Sequence, residues 1–387
     1  MKNQKIYLDN AATTYMFPEV IDAMAESMRH NFGNPSSTHF FGRDAKGIIE
    51  NVRKKIASFC NVTSAEIVFT SCGTESNNLI LRSSVDFLGV DRIITSPIEH
   101  SCVMQTVDCL EQFKNVTIDY VQHNEKGEID LDHLESLLKH SDKKTLVSIM
   151  HANNEIGNIN PIKQIGEIAH QYNALYHSDM VQTLGHYIID LENLPVDFAS
   201  SSAHKFHGPK GVGFAYIKKG TGLKAQITGG GQERNMRSGT ENLHGVLGMG
   251  KAFEISQRDY EKDRAYITDL KQYAINKIKE VFPETIFNGK SDDLENSLYT
   301  LISLSLPFQN GMMGFEMDLR GIAVSQGSAC QSGAAKASKV LSTILSQETI
   351  DHTTPMRVSF SIDNTKEEID AFMDTLIEIA EKTPSFK

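Results

Sequence analysis

The chain has 387 residues, of which 38 are basic and 49 acidic, for a formal charge of −11. That acidity argues against a nucleic-acid partner, and no apolar run is long enough to cross a membrane. Five cysteines with no C-x-x-C pair argue against a disulfide framework or a structural zinc site. The N-terminus carries no apolar signal core, so a cytoplasmic location is expected.

In chain order, Pro18 followed by Val20, Ile21, Met24 and Met28 predicts a helix with proline in its first turn. From residue 67 to about 186, short apolar runs alternate with amphipathic segments. The runs at 67–69, 92–95, 116–121 and 145–150 are predicted strands, and those at 174–177, 196–200 and 212–217 extend the series. Segments 131–138 and 162–172 carry the helical period. This alternation predicts an α/β domain with a mostly parallel sheet. Past Glu241, one amphipathic stretch to about residue 281 is expected to form a helix joining two domains. Predicted strands at 299–306 and 356–362 and a final helix at 365–381 then make an α+β appendage. The expected division is 15–260 for the large domain, with 1–14 and 261–387 forming the smaller one.

The strongest chemical signal is Ser200-Ser201-Ser202-Ala203-His204-Lys205, followed by the turn His207-Gly208-Pro209. Lys205 sits where a buried strand empties into a turn, which fixes an amine yet leaves it reachable. A desolvated lysine has a lowered pKa, so its free amine can condense with an aldehyde. Asp179 ends an earlier strand in His177-Ser178-Asp179, with Gln182 three residues on. A lysine for an aldehyde and an acid for a pyridinium nitrogen are what pyridoxal 5'-phosphate (PLP) asks of a protein. Gly73-Thr74-Glu75-Ser76 follows a strand and should open a helix, whose free N–H groups favour an anion. Arg357 begins a late strand, and its guanidinium suits a carboxylate. Cys60, Cys72, Cys102 and Cys109 lie beside apolar residues and are expected to be small core hydrophobes. Cys330, among Ser, Gly and Gln, is the candidate reactive thiol.

These segments are joined in order by Tyr7-Leu8-Asp9-Asn10-Ala11-Ala12-Thr13-Thr14, Gly33-Asn34-Pro35, Glu99-His100, Asn153-Asn154-Glu155-Ile156-Gly157, Ser238-Gly239-Thr240-Glu241 and Gly327-Ser328-Ala329-Cys330. From residue 7 to about 375 the chain resembles the cysteine desulfurases of the class V aminotransferase superfamily, in the branch that supplies sulfur for iron–sulfur clusters. The resemblance implies an α/β, PLP-dependent transferase fold of type I. Its large domain would hold a mostly parallel mixed sheet beside a smaller α+β domain, and the protein would be a homodimer. It implies that Gly73, Thr74, Ser202 and His204 surround the phosphate, with Thr240 arriving from a second subunit. His100 would stack on the ring and carry protons, Asp179 would face the ring nitrogen, and Gln182 and Asn154 would lie near the ring oxygen. Lys205 would take the aldehyde, and Arg357 with Asn154 the substrate carboxylate. Cys330 would take sulfur from L-cysteine as a persulfide, releasing L-alanine, and hand it to an acceptor such as an iron–sulfur scaffold. Two departures stand out: Ser361-Ile362-Asp363-Asn364 where relatives carry another arginine, and Gln331-Ser332-Gly333-Ala334-Ala335-Lys336-Ala337-Ser338, which lacks the Leu-Glu-Pro-Ser ending common in relatives. Two other readings remain at this point, a selenocysteine lyase or related class V enzyme, and a non-catalytic sulfur carrier or scaffold partner.

Overall fold

The structure is a computed structural model and describes residues 5–139, 142–326, 328–329, 335–336 and 338–383. A short strand β1 (Ile6–Tyr7) leads to α1 (Pro18–His30) and α2 (Phe40–Phe59). Pro18 stands in the first turn of α1, where its missing N–H has no partner to lose. His39 caps α2 by accepting the Gly42 N–H. Strands and helices then alternate as β2 (Ile67–Thr70), α3 (Gly73–Leu88), β3 (Arg92–Thr95), α4 (Ser101–Lys114), β4 (Thr117–Tyr120) and α5 (Leu131–Lys139). The series continues with β5 (Thr145–Ser148), α6 (Ile162–Gln171), β6 (Leu175–Asp179), β7 (Phe198–Ser202) and β8 (Gly213–Ile217).

These seven strands form one sheet in the order β2-β8-β7-β6-β5-β3-β4. Only β8 runs against its neighbours, so the other six point the same way. Successive strand residues feed opposite faces: Ile67, Phe69, Ile94 and Val147 enter one core, while Val68, Ile93 and Leu146 enter the other. With helices on both faces the inner strands are buried throughout, which is why they read as continuous apolar runs. Strand β4, at the edge, is only half-buried.

The chain goes on through α7 (Leu243–Arg258), α8 (Tyr260–Val281), β9 (Ile286–Phe287), β10 (Leu301–Leu306), α9 (Met313–Leu319) and β11 (Ile322–Ala323). It finishes with β12 (Ser328–Ala329), β13 (Ala335–Lys336), α10 (Lys339–Ile344), α11 (Gln347–His352), β14 (Thr354–Ser359) and α12 (Lys366–Lys382). A small antiparallel sheet, β14-β10-β9, packs with α8 and α12 around a separate core that includes Leu270, Ile278, Leu304, Val358, Phe372 and Leu376. Ile6 and Leu8 belong to this second core although they open the chain, because β1 pairs with β11. Thr365 and Glu368 form a capping box that starts α12.

The stretch expected to be one helix after Glu241 is two. Asp259, at φ −102° and ψ 5°, ends α7 and begins α8. Helix α7 lies against α1 and α2 in the first core, while α8 lies against α12 and β10 in the second. A single straight rod cannot serve both, so the amphipathic pattern runs on while the axis breaks.

One buried ion pair pins the loop before α7. Arg53 on α2 meets Glu233 at 2.6 and 2.8 Å, and Glu233 also accepts the Phe69 N–H of β2 at 2.8 Å. Glu233, Arg234 and Asn235 have φ of 46°, 56° and 66°, a left-handed run that is strained without glycine. Replacing Arg53 by Ala would strand the Glu233 carboxylate in the interior. The expected loss is about 3–5 kcal/mol of stability, read as a lower urea midpoint by circular dichroism.

Candidate active site

The C-terminal ends of β2, β3, β5, β6 and β7 lie along one edge of the large sheet, and the loops leaving them line a cavity of about 280 Å³. Crevices beyond the carboxyl ends of strands are where open α/β sheets bind ligands. Gly73, Thr74, His100, Asn154, Asp179, Gln182, Ser202, His204 and Lys205 all line this one cavity.

Strand β7 ends in three buried serines and passes into a tight turn, Ala203–Lys205. Lys205 Nζ donates to the main-chain carbonyls of Ala11 at 2.6 Å and Ala12 at 2.8 Å. Burial pulls its pKa down to about 8, helped by Arg357 and opposed by Asp179 and Asp9. About a tenth of the amine is then neutral at pH 7, against well under a thousandth for a free lysine. Ser202 Oγ is buried and has no hydrogen-bond partner among the described residues. Burial also lowers the His204 pKa to about 4, with Lys205 and Lys210 adding to the effect, so that imidazole is neutral. Its Nδ1 lies 3.1 Å from Thr13 Oγ1.

Opposite this turn, α3 begins at Gly73. Thr74 is not its cap: Cys72 is, and its side chain makes no capping bond. The first-turn N–H groups therefore face the cavity without a side-chain acceptor of their own, the usual setting for an anion. A Cβ on Gly73 would stand 2.5 Å from Val181 Cγ2, so only glycine lets the helix end come this close to the exit of β6. Asp179, the last residue of β6, accepts the Val181 N–H at 3.0 Å and the Asn77 amide at 2.7 Å. Asn77 is oriented in turn by His177 Nε2 at 3.1 Å, and His177 Nδ1 lies 2.9 Å from Ser148 Oγ. Burial holds the His177 pKa near 4, so this chain of bonds is neutral up to the carboxylate. Gln182 Nε2 donates to Ala11 O at 3.1 Å.

Arg357, on β14, does not line this cavity. It lines a neighbouring one of about 220 Å³, and Asn154 belongs to both. Its guanidinium donates to Asn154 O at 2.7 Å, Asp9 Oδ1 at 2.9 Å and Ser325 Oγ at 3.0 Å. Its buried Nε has no partner among the described residues. Thr240 is exposed and lines neither cavity. Cys330 lies outside the described residues.

The cysteine expectation needs correction. Cys60 is buried in the core, but Cys72 and Cys102 line the cavity, because Cys72 is the cap residue of α3 after β2 and Cys102 stands in the first turn of α4 after β3. The sequence reading also passed over Asn77 and Asp9. Asp9 lies inside a quoted motif; Asn77 directly follows another and stands four residues after Gly73 on α3, which puts the two on one helix face.

The class-V aminotransferase pattern matches residues 6–372. A cysteine desulfurase IscS from Dictyoglomus turgidum is 41% identical over 384 residues, covering 98% of this chain and 95% of the relative. A solved NifS-like protein superposes with a TM-score of 0.89 at 36% identity, covering 98% of this chain and all of its own. A structure of SspA in complex with cysteine superposes at 0.76, with 29% identity, over 92% of this chain and 99% of its own. The chain therefore belongs to the class-V aminotransferases, PLP-dependent enzymes of α/β fold. Within them it belongs with the cysteine desulfurases.

The donor set fits PLP. An uncapped helix start and an orphaned serine hydroxyl suit a phosphate, a buried carboxylate suits a protonated ring nitrogen, and a desolvated amine suits an aldehyde. Because only the neutral amine reacts, apoprotein should take up the cofactor faster as pH rises, with the midpoint near 8. Borohydride reduction and peptide mapping should then find the pyridoxyl group on Lys205, and Lys205→Ala should carry none.

Proposed function

We propose that this enzyme converts L-cysteine to L-alanine and passes the sulfur through Cys330 to an acceptor protein such as an iron–sulfur scaffold. The observation that carries the reading is the desolvated Lys205 amine, held on two main-chain carbonyls in the same cavity as Asp179. When bound, PLP supplies the electron sink that lets negative charge develop at the α-carbon of the substrate. Gly73, Thr74, Ser202 and His204 would hold its phosphate, Asp179 its ring nitrogen and Gln182 its ring oxygen, all of them lining one cavity. Asn77 keeps the Asp179 carboxylate turned into the cavity. Lys205, with a pKa near 8, would hold the cofactor through its aldehyde and move a proton at Nζ. His100, which lines the same cavity, would lie against the ring and carry the second proton. Arg357 and Asn154 orient the substrate carboxylate, the guanidinium exchanging contacts it now makes with Asp9 and Ser325.

The thiolate of Cys330 attacks the substrate sulfur. The carbon–sulfur bond breaks, a sulfur–sulfur bond forms, and the electron pair left on carbon takes a proton to give alanine. The reach of the loop supports this role: Ser325 touches Arg357 at 3.0 Å, and Cys330 follows five residues later, within about 17 Å of extended chain.

We assign residues 15–260 to the cofactor-binding domain and residues 1–14 with 261–387 to the smaller one, a division supported by the two separate cores. A homodimer is supported by the exposure of Thr240, on the loop held by Arg53 and Glu233, where it can complete a second subunit's phosphate site. An exposed cluster of Phe32, Phe40 and Phe41 also favours association. A cytoplasmic location is supported by the four described cysteines, all free.

Two experiments test this. Cys330→Ala should still bind PLP yet lose nearly all alanine release, while wild type given cysteine should gain one sulfur mass on the Cys330 peptide. Alanine made by the variant at the wild-type rate would refute the sulfur-transfer step, and equal release from selenocysteine alone would favour a lyase. In analytical ultracentrifugation the active protein should sediment as a dimer, and a fully active monomer would remove the shared site.

A further inference from the structure

We propose that Cys102 is a positioning residue of the active site, its thiol passing a hydrogen-bond chain from the Asn77–Asp179 pair on to the His100 imidazole. The inference rests on the reading of this cavity as the desulfurase site. Cys102 stands in the first turn of α4, two residues after His100, which caps that helix. Its Sγ lies 3.2 Å from Asn77 Nδ2 and 3.0 Å from His100 Nδ1.

The direction of each bond follows from the other bonds its partner makes. Asn77 turns its carbonyl oxygen to His177 Nε2 at 3.1 Å and its amide nitrogen to Asp179 Oδ2 at 2.7 Å. The amide is thus oriented, and its second hydrogen points at the sulfur. His100 Nδ1 also receives the Cys102 main-chain N–H at 3.2 Å. A main-chain N–H can only donate, so Nδ1 holds a lone pair. The thiol then accepts from Asn77 and donates to His100, both of which a neutral S–H can do. Burial, together with the Asp179 charge, pushes the Cys102 thiol up to about 12, so it keeps its proton and is no nucleophile.

Two consequences follow for His100. Its own proton sits on Nε2, the nitrogen free of the helix. Its ring is also fixed by two contacts at Nδ1, one from the backbone and one from the thiol.

The test compares PLP-loaded wild type with Cys102→Ala, which removes donor and acceptor, and Cys102→Ser, which keeps both. In the alanine variant kcat should fall several-fold, since the His100 ring keeps only its backbone contact at Nδ1. PLP should dissociate about fivefold more readily, the worth of one hydrogen bond, and the visible circular dichroism of the cofactor should change. Serine should restore all three. Cys102→Val, close in volume but without either function, repeats the test should alanine disturb packing. An alanine variant matching wild type in kcat, cofactor release and dichroism would overturn the proposal, as would a serine variant no better than alanine. Cofactor release and dichroism are read without substrate. A wild type that binds PLP but makes no alanine would therefore sink the desulfurase reading and leave the Cys102 test standing.

Discussion

The active site depends on one short strap of backbone, residues 8–14, that crosses from the small core to the large sheet. At one end Asp9 binds Arg357 and Ser359 donates its N–H to Leu8 O at 2.8 Å, tying the strap to β14. At the other, the carbonyls of Ala11 and Ala12 hold the Lys205 ammonium, and Thr14 donates its N–H to His204 O at 2.9 Å. Arg357 and Lys205 are thereby held to one piece of chain. A shift of Arg357 that carried Asp9 with it would pull on the carbonyls that solvate Lys205.

The sheet explains why chemistry gathers where it does. Six strands share a direction, so their exits share an edge, and a helix start, a carboxylate and a lysine arrive there from β2, β6 and β7. The reversed strand β8 wedges between β2 and β7, which brings the exits of those two strands to either side of it. Gly213, at the start of β8, fits this gap: a Cβ there would stand 2.4 Å from Ser201 O. The mixed topology is thus part of the site and not an irregularity beside it.

Much of this was legible in the sequence because strand ends announce themselves. Apolar runs that stop at Asp179 or at Ser202, followed by polar residues and a turn, locate the edge of a sheet without any knowledge of its order. What stayed hidden involves partners far apart in the chain or carried by the backbone. The break between α7 and α8 leaves no mark on the amphipathic pattern, since both halves bury one face, only against different cores. The acceptors of Lys205 are main-chain carbonyls, which no residue type advertises. Cys102 reads as a small hydrophobe from its neighbours, and only the approach of Asn77 from α3 shows its sulfur to be a link. The separation of Arg357 into an adjoining cavity is likewise a matter of tertiary distance, as Asn154 is the one lining residue the two spaces share.

The use of main-chain carbonyls to hold Lys205 has an evolutionary side. A side-chain acceptor can be erased by one nucleotide change; the oxygens of residues 11 and 12 survive every amino-acid replacement at those positions that preserves the path of the chain. The position of the lysine amine is therefore shielded from drift in side-chain identity at those two residues. It is exposed instead to insertions and deletions, since adding or losing one residue in the strap would rotate both carbonyls away. Descendants of this chain can vary the strap in composition far more freely than in length.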